Sequence, residues 1–292
     1  MNSDMEILMK SMAPDEWGIK ELQNCILNIA KDIHEFCQKY GIDYCLAGGS
    51  ALGAVRHGGF IPWDDDLDLF MTPENYEKFR DCFYRYGNKD KYYLQQGFVF
   101  DGMVNWAKVR LNKSTYIEDA VKELDIHHGI FVDIFILHNC PESKLKQFWM
   151  SFWEKYITTK EIINRNYMKR GWLLNAVFKC LKILPKKFLI KYALKQVYKY
   201  RNVKSKYKCH LYDKKPIKTG IYPVSFFEEN KLTTFENTKL ILMGNADGYL
   251  KTFYGDYMKI PSLRDIKFKQ HSVEWSVDVP YHLRGKGTFA DE

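Results

Sequence analysis

Four aspartates in five residues, Asp64, Asp65, Asp66 and Asp68, follow a Gly48-Gly49-Ser50 turn, and a fifth, Asp133, interrupts the otherwise apolar run 129–137. Crowded carboxylates repel one another at neutral pH, and their pKa values rise unless cations are supplied. A divalent metal is the first implication. The alternation Asp66-Leu67-Asp68-Leu69-Phe70 puts Asp66 and Asp68 on one face of a strand, and a buried Asp133 needs a partner. Hard oxygen donors favour magnesium or manganese over zinc. A Gly-Gly-Ser turn opening a helix offers backbone N–H groups to an anion such as a phosphate. Two ions about 3.5–4 Å apart clamp the attacking and leaving oxygens of an in-line displacement. Phosphoryl or nucleotidyl transfer is the chemistry implied. The bland alternative is a hydrated acidic turn, against which Trp63 and the apolar Leu67, Leu69 and Phe70 set the cluster at a core edge. Asp64 and Asp65 stay open between donor contact, support of their neighbours and simple hydration.

The elements that must position these groups are legible. Leu22, Ile26, Ile29, Ile33, Phe36 and Tyr40 recur at helical spacing up to Gly41, with Pro14-Asp15-Glu16 as a possible start. Residues 42–47 read as a short buried strand and 50–56 as a helix of about two turns capped by Ser50. Thr72-Pro73-Glu74 opens a helix toward Gly87. Residues 92–111 read as a hairpin turning at Asp101-Gly102, 115–118 as a short strand, and 129–137 as a buried strand carrying Asp133. Pro141-Glu142 opens a helix through Trp149 and Trp153. Residues 171–208 read as two amphipathic helices split by Pro185, the second with Lys187, Lys191, Lys195 and Lys199 at every fourth position. Residues 238–243 suggest a strand, and Asn245 caps a helix ending at Gly255.

The 292 residues suit one large domain or two small ones with a substantial core. Aromatic residues at 16% and charged residues at 27% describe a folded globular chain. Seven scattered cysteines without a Cys-x-x-Cys pair argue against a disulfide framework or a zinc ribbon and for reduced thiols. Neither a secretory signal nor an apolar run of membrane-spanning length is visible, so the expected location is the cytoplasm. The net charge of +8 is concentrated: between Glu161 and Asp213 there are 14 Lys or Arg and no acid. That stretch is either a solvated lysine face or an attachment to an anionic membrane surface. It carries no recognisable nucleic-acid motif, and no nucleic acid is expected as a partner.

The signature Gly49-Ser50, Asp66-Leu67-Asp68 and Asp133 resembles that of the nucleotidyltransferase superfamily. Residues 53–68, Gly-Ala-Val-Arg-His-Gly-Gly-Phe-Ile-Pro-Trp-Asp-Asp-Asp-Leu-Asp, narrow the resemblance to the LicD family, which includes the fukutin-related branch. The insertion Arg56 to Trp63 lengthens the usual superfamily spacing. Gly129 to Phe135, Lys108 with Arg110, Tyr254 to Met258 and His271 look like the family's later blocks. The resemblance is weakest across 142–230. It implies an α/β fold: a nucleotidyltransferase-like mixed-sheet core over 20–140, after an N-terminal lead 1–19 and before a mostly helical C-terminal region 141–292. It implies that Asp66, Asp68 and Asp133 bind Mg2+ or Mn2+, that one of them, Asp133, helps deprotonate an acceptor hydroxyl, and that Arg56 and Lys108 meet a donor diphosphate. Gly49, Ser50, Asp64 and Asp65 complete the substrate-binding set. The implied reaction moves phosphocholine from CDP-choline to a hydroxyl of a glycan precursor, lipid-linked in teichoic acid or lipopolysaccharide synthesis, with release of CMP. Transfer of another phospho-alditol from a CDP-linked donor, nucleotidyl transfer to a small acceptor, and a non-enzymatic membrane or nucleic-acid adaptor are the alternatives. A quaternary ammonium group would seat against aromatic faces, with Trp63, Trp106, Tyr92, Tyr93 and Tyr116 as candidates. Lone histidines, among them His57, His127, His128 and His271, are left outside the catalytic set.

Overall fold

The computed structural model describes residues 17–119, 121–164, 186–211, 216–262, 266 and 271–281. Helix α1 (Lys20–Tyr40) buries Leu22, Ile26, Ile29, Ala30, Ile33 and Cys37 along one face and ends on Gly41 at φ +60°, the left-handed stop that glycine permits. The expected start at Pro14 lies outside the described residues. Strand β1 (Cys45–Leu46) leads into α2 (Gly48–Arg56), then come β2 (Asp68–Met71) and α3 (Pro73–Tyr86), whose Thr72 side chain accepts from Asn75 N at 3.3 Å. Strands β3 (Tyr92–Gln96) and β6 (Trp106–Leu111) pair antiparallel, and between them β4 (Val99–Phe100) and β5 (Met103–Val104) turn tightly at Asp101-Gly102. Both turn residues have positive φ, the signature of a two-residue hairpin loop. Strands β7 (Thr115–Glu118), β8 (Phe131–Ile136) and β9 (His138–Cys140) follow.

The central sheet is mixed, in the order β1-β2-β8-β6-β3, with β2 and β8 parallel and the other pairs antiparallel. Val132 and Ile134, which flank Asp133 and point to the opposite face, are fully buried, and α1 packs onto β8. One face of β8 therefore carries the core and the other carries Asp133.

The described part of 141–292 contains helices α4 (Lys144–Asn164), α5 (Lys186–Val197), α6 (Pro216–Thr219) and α7 (Ala246–Tyr254). It is less uniformly helical than expected, because strands β10 (Tyr207–Cys209), β11 (Ile221–Pro223), β12 (Lys231–Phe235), β13 (Thr238–Leu242) and β14 (Ser272–Ser276) are interleaved with them. Residue 140 is no packing boundary: β9 joins β10 and β11 in one sheet, β14 pairs with β7, and α7 packs on α2. Asn245 caps α7, accepting from Gly248 N at 2.8 Å. The first of the two basic helices expected over 171–208 lies outside the described residues. The second is α5, with Lys187 and Lys195 exposed and Lys191 paired to Asp101 at 3.0 Å.

Candidate active site

The register of the sheet builds the site. Asp68 on β2 faces Asp133 on β8, Asp133 faces Lys108 on β6, and Lys108 faces Gln95 on β3, so these side chains form one row across the sheet. Lys108 Nζ lies 3.1 Å from Asp133 Oδ2 and 3.4 Å from Glu118 Oε1. It also sits 3.4 Å from the centroid of the Phe131 ring. Buried Arg110 donates to Gly129 O at 2.8 Å and meets Glu118 Oε2 at 3.3 Å, which holds β7 against this row.

Asp68 is clamped on both backbone sides. Its N–H donates to Ser50 Oγ at 2.8 Å, and its carbonyl accepts from Ala47 N at 2.9 Å. Ser50 is thus not the cap of α2, as expected from its position. The helix begins two residues earlier with Ala47 as N-cap, and the buried hydroxyl is committed to β2. The glycine pair also differs from a simple phosphate cradle. Gly48 N donates to Tyr249 Oη at 3.0 Å. A Cβ on Gly48, whose φ is +47°, would stand 2.8 Å from Asp68 Oδ2, and one on Gly49 would stand 2.6 Å from Asp64 Oδ2. The two glycines are the space into which two carboxylates fit.

A cavity of about 710 Å3 opens over the row. Of the residues singled out from sequence, Gly49, Arg56, Asp64, Asp66, Asp68, Lys108 and Asp133 line it, with Trp63 and Trp106. Ser50 and Asp65 do not. Asp65 is wholly buried and accepts from His271 N at 2.9 Å, Ser272 N at 3.0 Å and Ser272 Oγ at 2.9 Å, with His271 Nδ1 at 3.1 Å. Burial alone would raise its pKa, and the hydrogen bonds from His271 and Ser272 outweigh that and hold it below the usual carboxylate range. Tyr92, Tyr93 and Tyr116 lie outside the lining as well.

Glu118 and Lys259 line the cavity without having been marked from sequence, and Asp256 and His271, met there only within the blocks that resemble the family's and not as site residues, line it too. His271 Nδ1 stands 3.5 Å from Asp66 Oδ2, and its pKa is raised to about 9, chiefly by the Asp65 hydrogen bond. Arg56 donates through Nε to His57 Nε2 at 2.9 Å and through Nη1 to Tyr257 O at 2.8 Å. Burial lowers the His57 pKa to about 4, so the imidazole is neutral and its Nε2 is the acceptor. Among the described residues Arg56 forms no ion pair, unlike Lys108, and its fork is oriented toward the cavity by neutral acceptors.

Burial raises the pKa of Asp66 to about 6 and also raises those of Asp68 and Asp133. Asp66 and Asp133 each raise Asp68 further, while Lys108 lowers all three. Three such oxygens favour a hard cation. Among the described residues, no group of three His, Cys, Asp or Glu closes into a ready coordination shell; the carboxylates form an open cluster with Lys108 resident on one of them.

Fold and site together define a mixed α/β protein with an acidic cluster and a cationic rim, Arg56, Lys108, Lys259 and His271, around one cavity. The family model "LicD/FKTN/FKRP, nucleotidyltransferase domain" matches residues 41–170. The lipopolysaccharide cholinephosphotransferase LicD of Haemophilus influenzae is 28% identical over 264 residues, 85% of this chain and 94% of that protein. The ribitol 5-phosphate transferase FKRP of Homo sapiens is 66% identical over 35 residues, 12% of this chain and 7% of that protein. An uncharacterized protein of Rickettsia prowazekii, RP689, is 46% identical over 50 residues, 17% of this chain and 19% of that protein. The likeness to the LicD family thus rests on the model match over residues 41–170 and on the Haemophilus relative over most of both chains.

Proposed function

We propose that the protein is a metal-dependent phosphotransferase that moves phosphocholine from CDP-choline to a glycan hydroxyl and releases CMP. The observation that carries the reading is the in-register row Asp68–Asp133–Lys108 beneath a cavity that also holds Asp66 and Arg56. The Haemophilus relative, named as a cholinephosphotransferase acting on lipopolysaccharide, supports the phosphocholine donor and a glycan acceptor.

Asp66, Asp68 and Asp133 would hold one or two Mg2+ or Mn2+ ions, which when bound supply Lewis-acid stabilisation of charge on the transferring phosphoryl oxygens. The chain's own groups do the rest. The Arg56 fork suits two phosphate oxygens at once, whereas Lys108 acts as a point charge. Asp133 accepts the proton of the acceptor hydroxyl at its carboxylate. Trp63 and Trp106 offer aromatic faces for a quaternary ammonium group.

Mass spectrometry of the products from CDP-choline tests the chemistry: free CMP with phosphocholine on the acceptor is expected, and free phosphocholine with CMP on the acceptor would indicate nucleotidyl transfer instead. Asp66→Asn and Asp68→Asn should each lower kcat by about a thousandfold or more with an unchanged melting profile. Wild-type turnover in either variant sinks the reading. A CDP-linked alditol donor is the second reading, favoured by the 35-residue match to a ribitol 5-phosphate transferase. A screen of CDP-choline, CDP-ribitol and CDP-glycerol for magnesium-dependent thermal stabilisation separates the donors.

A further inference from the structure

Helix α4 turns its acids inward and its apolar side chains outward. Glu154 and Glu161 are buried, while Leu145, Phe148, Trp149 and Phe152, at i, i+3, i+4 and i+7, form one exposed stripe. Leu145 is 78% and Phe148 56% exposed. Helix α5 packs alongside, with the Trp153 and Tyr192 ring centroids 4.9 Å apart and Trp149 Nε1 donating to Gln196 Oε1 at 3.2 Å. Its Phe188, 72% exposed, and Tyr192 continue the stripe. Isolated exposed apolar residues need no explanation, but six large ones on two adjacent helices mark an interaction surface.

The charge around the stripe has one sign. Lys144, Lys146, Lys187 and Lys195 are exposed, the acids of α4 are buried, and α5 has none. Among the described residues, the exposed acids Asp101 and Glu142 are paired to Lys191 and Lys206. We infer that the α4–α5 face docks on an anionic lipid bilayer, with Leu145, Phe148, Phe152 and Phe188 entering the boundary between headgroups and acyl chains and the lysines meeting lipid phosphates. A second copy of the chain would bring two lysine rims together, which like-charge repulsion opposes. A polynucleotide follows a basic groove lined by stacking platforms; here the most exposed of the six residues is aliphatic Leu145, which offers a base no ring to stack on. The face is coupled to the cavity, because Glu161 at the inner side of α4 accepts from Trp106 Nε1 at 2.6 Å. Docking therefore fixes the helix that supports one wall of the site, independently of which group the site transfers.

Flotation of the full chain with phosphatidylcholine vesicles, with and without phosphatidylglycerol, tests this. The wild type floats with the anionic vesicles. L145S/F152S/F188S reduces the bound fraction about tenfold or more, and K144Q/K146Q/K187Q removes the preference for phosphatidylglycerol and the salt dependence. All six positions are solvent-facing, and circular dichroism melts check that the fold is kept. Failure of the wild type to bind anionic vesicles, or wild-type binding by the serine variant, overturns the inference. So does a dimer that dissociates in the serine variant while vesicle binding persists, or capture of a single-stranded oligonucleotide by this face in place of vesicles.

Discussion

At the scale of single residues, the glycine pair is the most exacting feature of the site. Gly49 sits where a methyl group would press on Asp64 Oδ2, and Gly48 combines a positive φ with a carboxylate against its missing side chain. Gly49→Ala should displace Asp64 and cut kcat/KM about tenfold with a stability loss of about 1 kcal/mol. Gly48→Ala adds left-handed strain and should cost about 2 kcal/mol or more in denaturant unfolding. A Gly48→Ala variant as stable and active as the wild type would contradict this account. The sequence made the aspartates legible because carboxylates in strand-like runs have few bland explanations. It did not make the glycines legible in the same way: a Gly-Gly-Ser turn reads equally as an anion cradle, and only the tertiary approach of Asp64 and Asp68 shows what the missing side chains make room for. Ser50 illustrates the same limit, since a serine near a helix start reads as a cap until its hydroxyl is seen to bind the neighbouring strand.

At the scale of elements, Asp65 is a latch between the aspartate-bearing loop 64–67 and strand β14. Its carboxylate collects two backbone N–H groups and a hydroxyl from residues 271–272 and stands beside the His271 ring, each charge-assisted bond worth about 1.5–3 kcal/mol when buried. Asp65→Ala should therefore release β14 from β7 and withdraw His271 from the cavity. The expected readouts are a stability loss of about 2–4 kcal/mol and faster proteolysis around residues 271–276. Unchanged proteolysis would show that β14 is held by its strand pairing alone. Glu118 escaped the reading of the sequence, and His271 was set outside the catalytic set, because their places at the cavity come from the pairing of β14 with β7 and from this latch. Nothing local to a short strand or to a histidine near residue 270 announces that the two lie side by side at the rim of a cavity built 50 to 200 residues earlier. Strands β2 and β8, the hairpin around Asp101-Gly102, and the caps at Thr72 and Asn245 were legible because their signals are local: alternation, a turn dipeptide and a capping side chain.

At the scale of the whole molecule, stability carries a pH dependence with a definite sign. Burial, and then the neighbouring Glu161, raise the Glu154 pKa from 4.5 to about 8. The folded state therefore holds a proton that the unfolded chain has released between those values. The contribution is fully present below pH 4.5 and is lost as pH rises through about 8. Glu154→Gln, which keeps the shape without the charge, should flatten the fall in melting temperature between about pH 4.5 and 8 and be the more stable protein near pH 9 by about 1–3 kcal/mol. Parallel unfolding curves for the two proteins across this range would show that Glu154 titrates normally.

The parallel pairing of β2 with β8 has one more consequence. Asp68 and Asp133 become neighbours only after the 64 residues between them have looped back to the same edge, and His271 arrives only after a far longer closure. Contacts of such sequence separation form late, because loop-closure entropy must be overcome before they are rewarded. The carboxylate cluster is thus assembled last and all at once. During synthesis the emerging chain carries Asp66 and Asp68 together but without Asp133 and His271 beside them, and the cavity comes into being only as the fold closes.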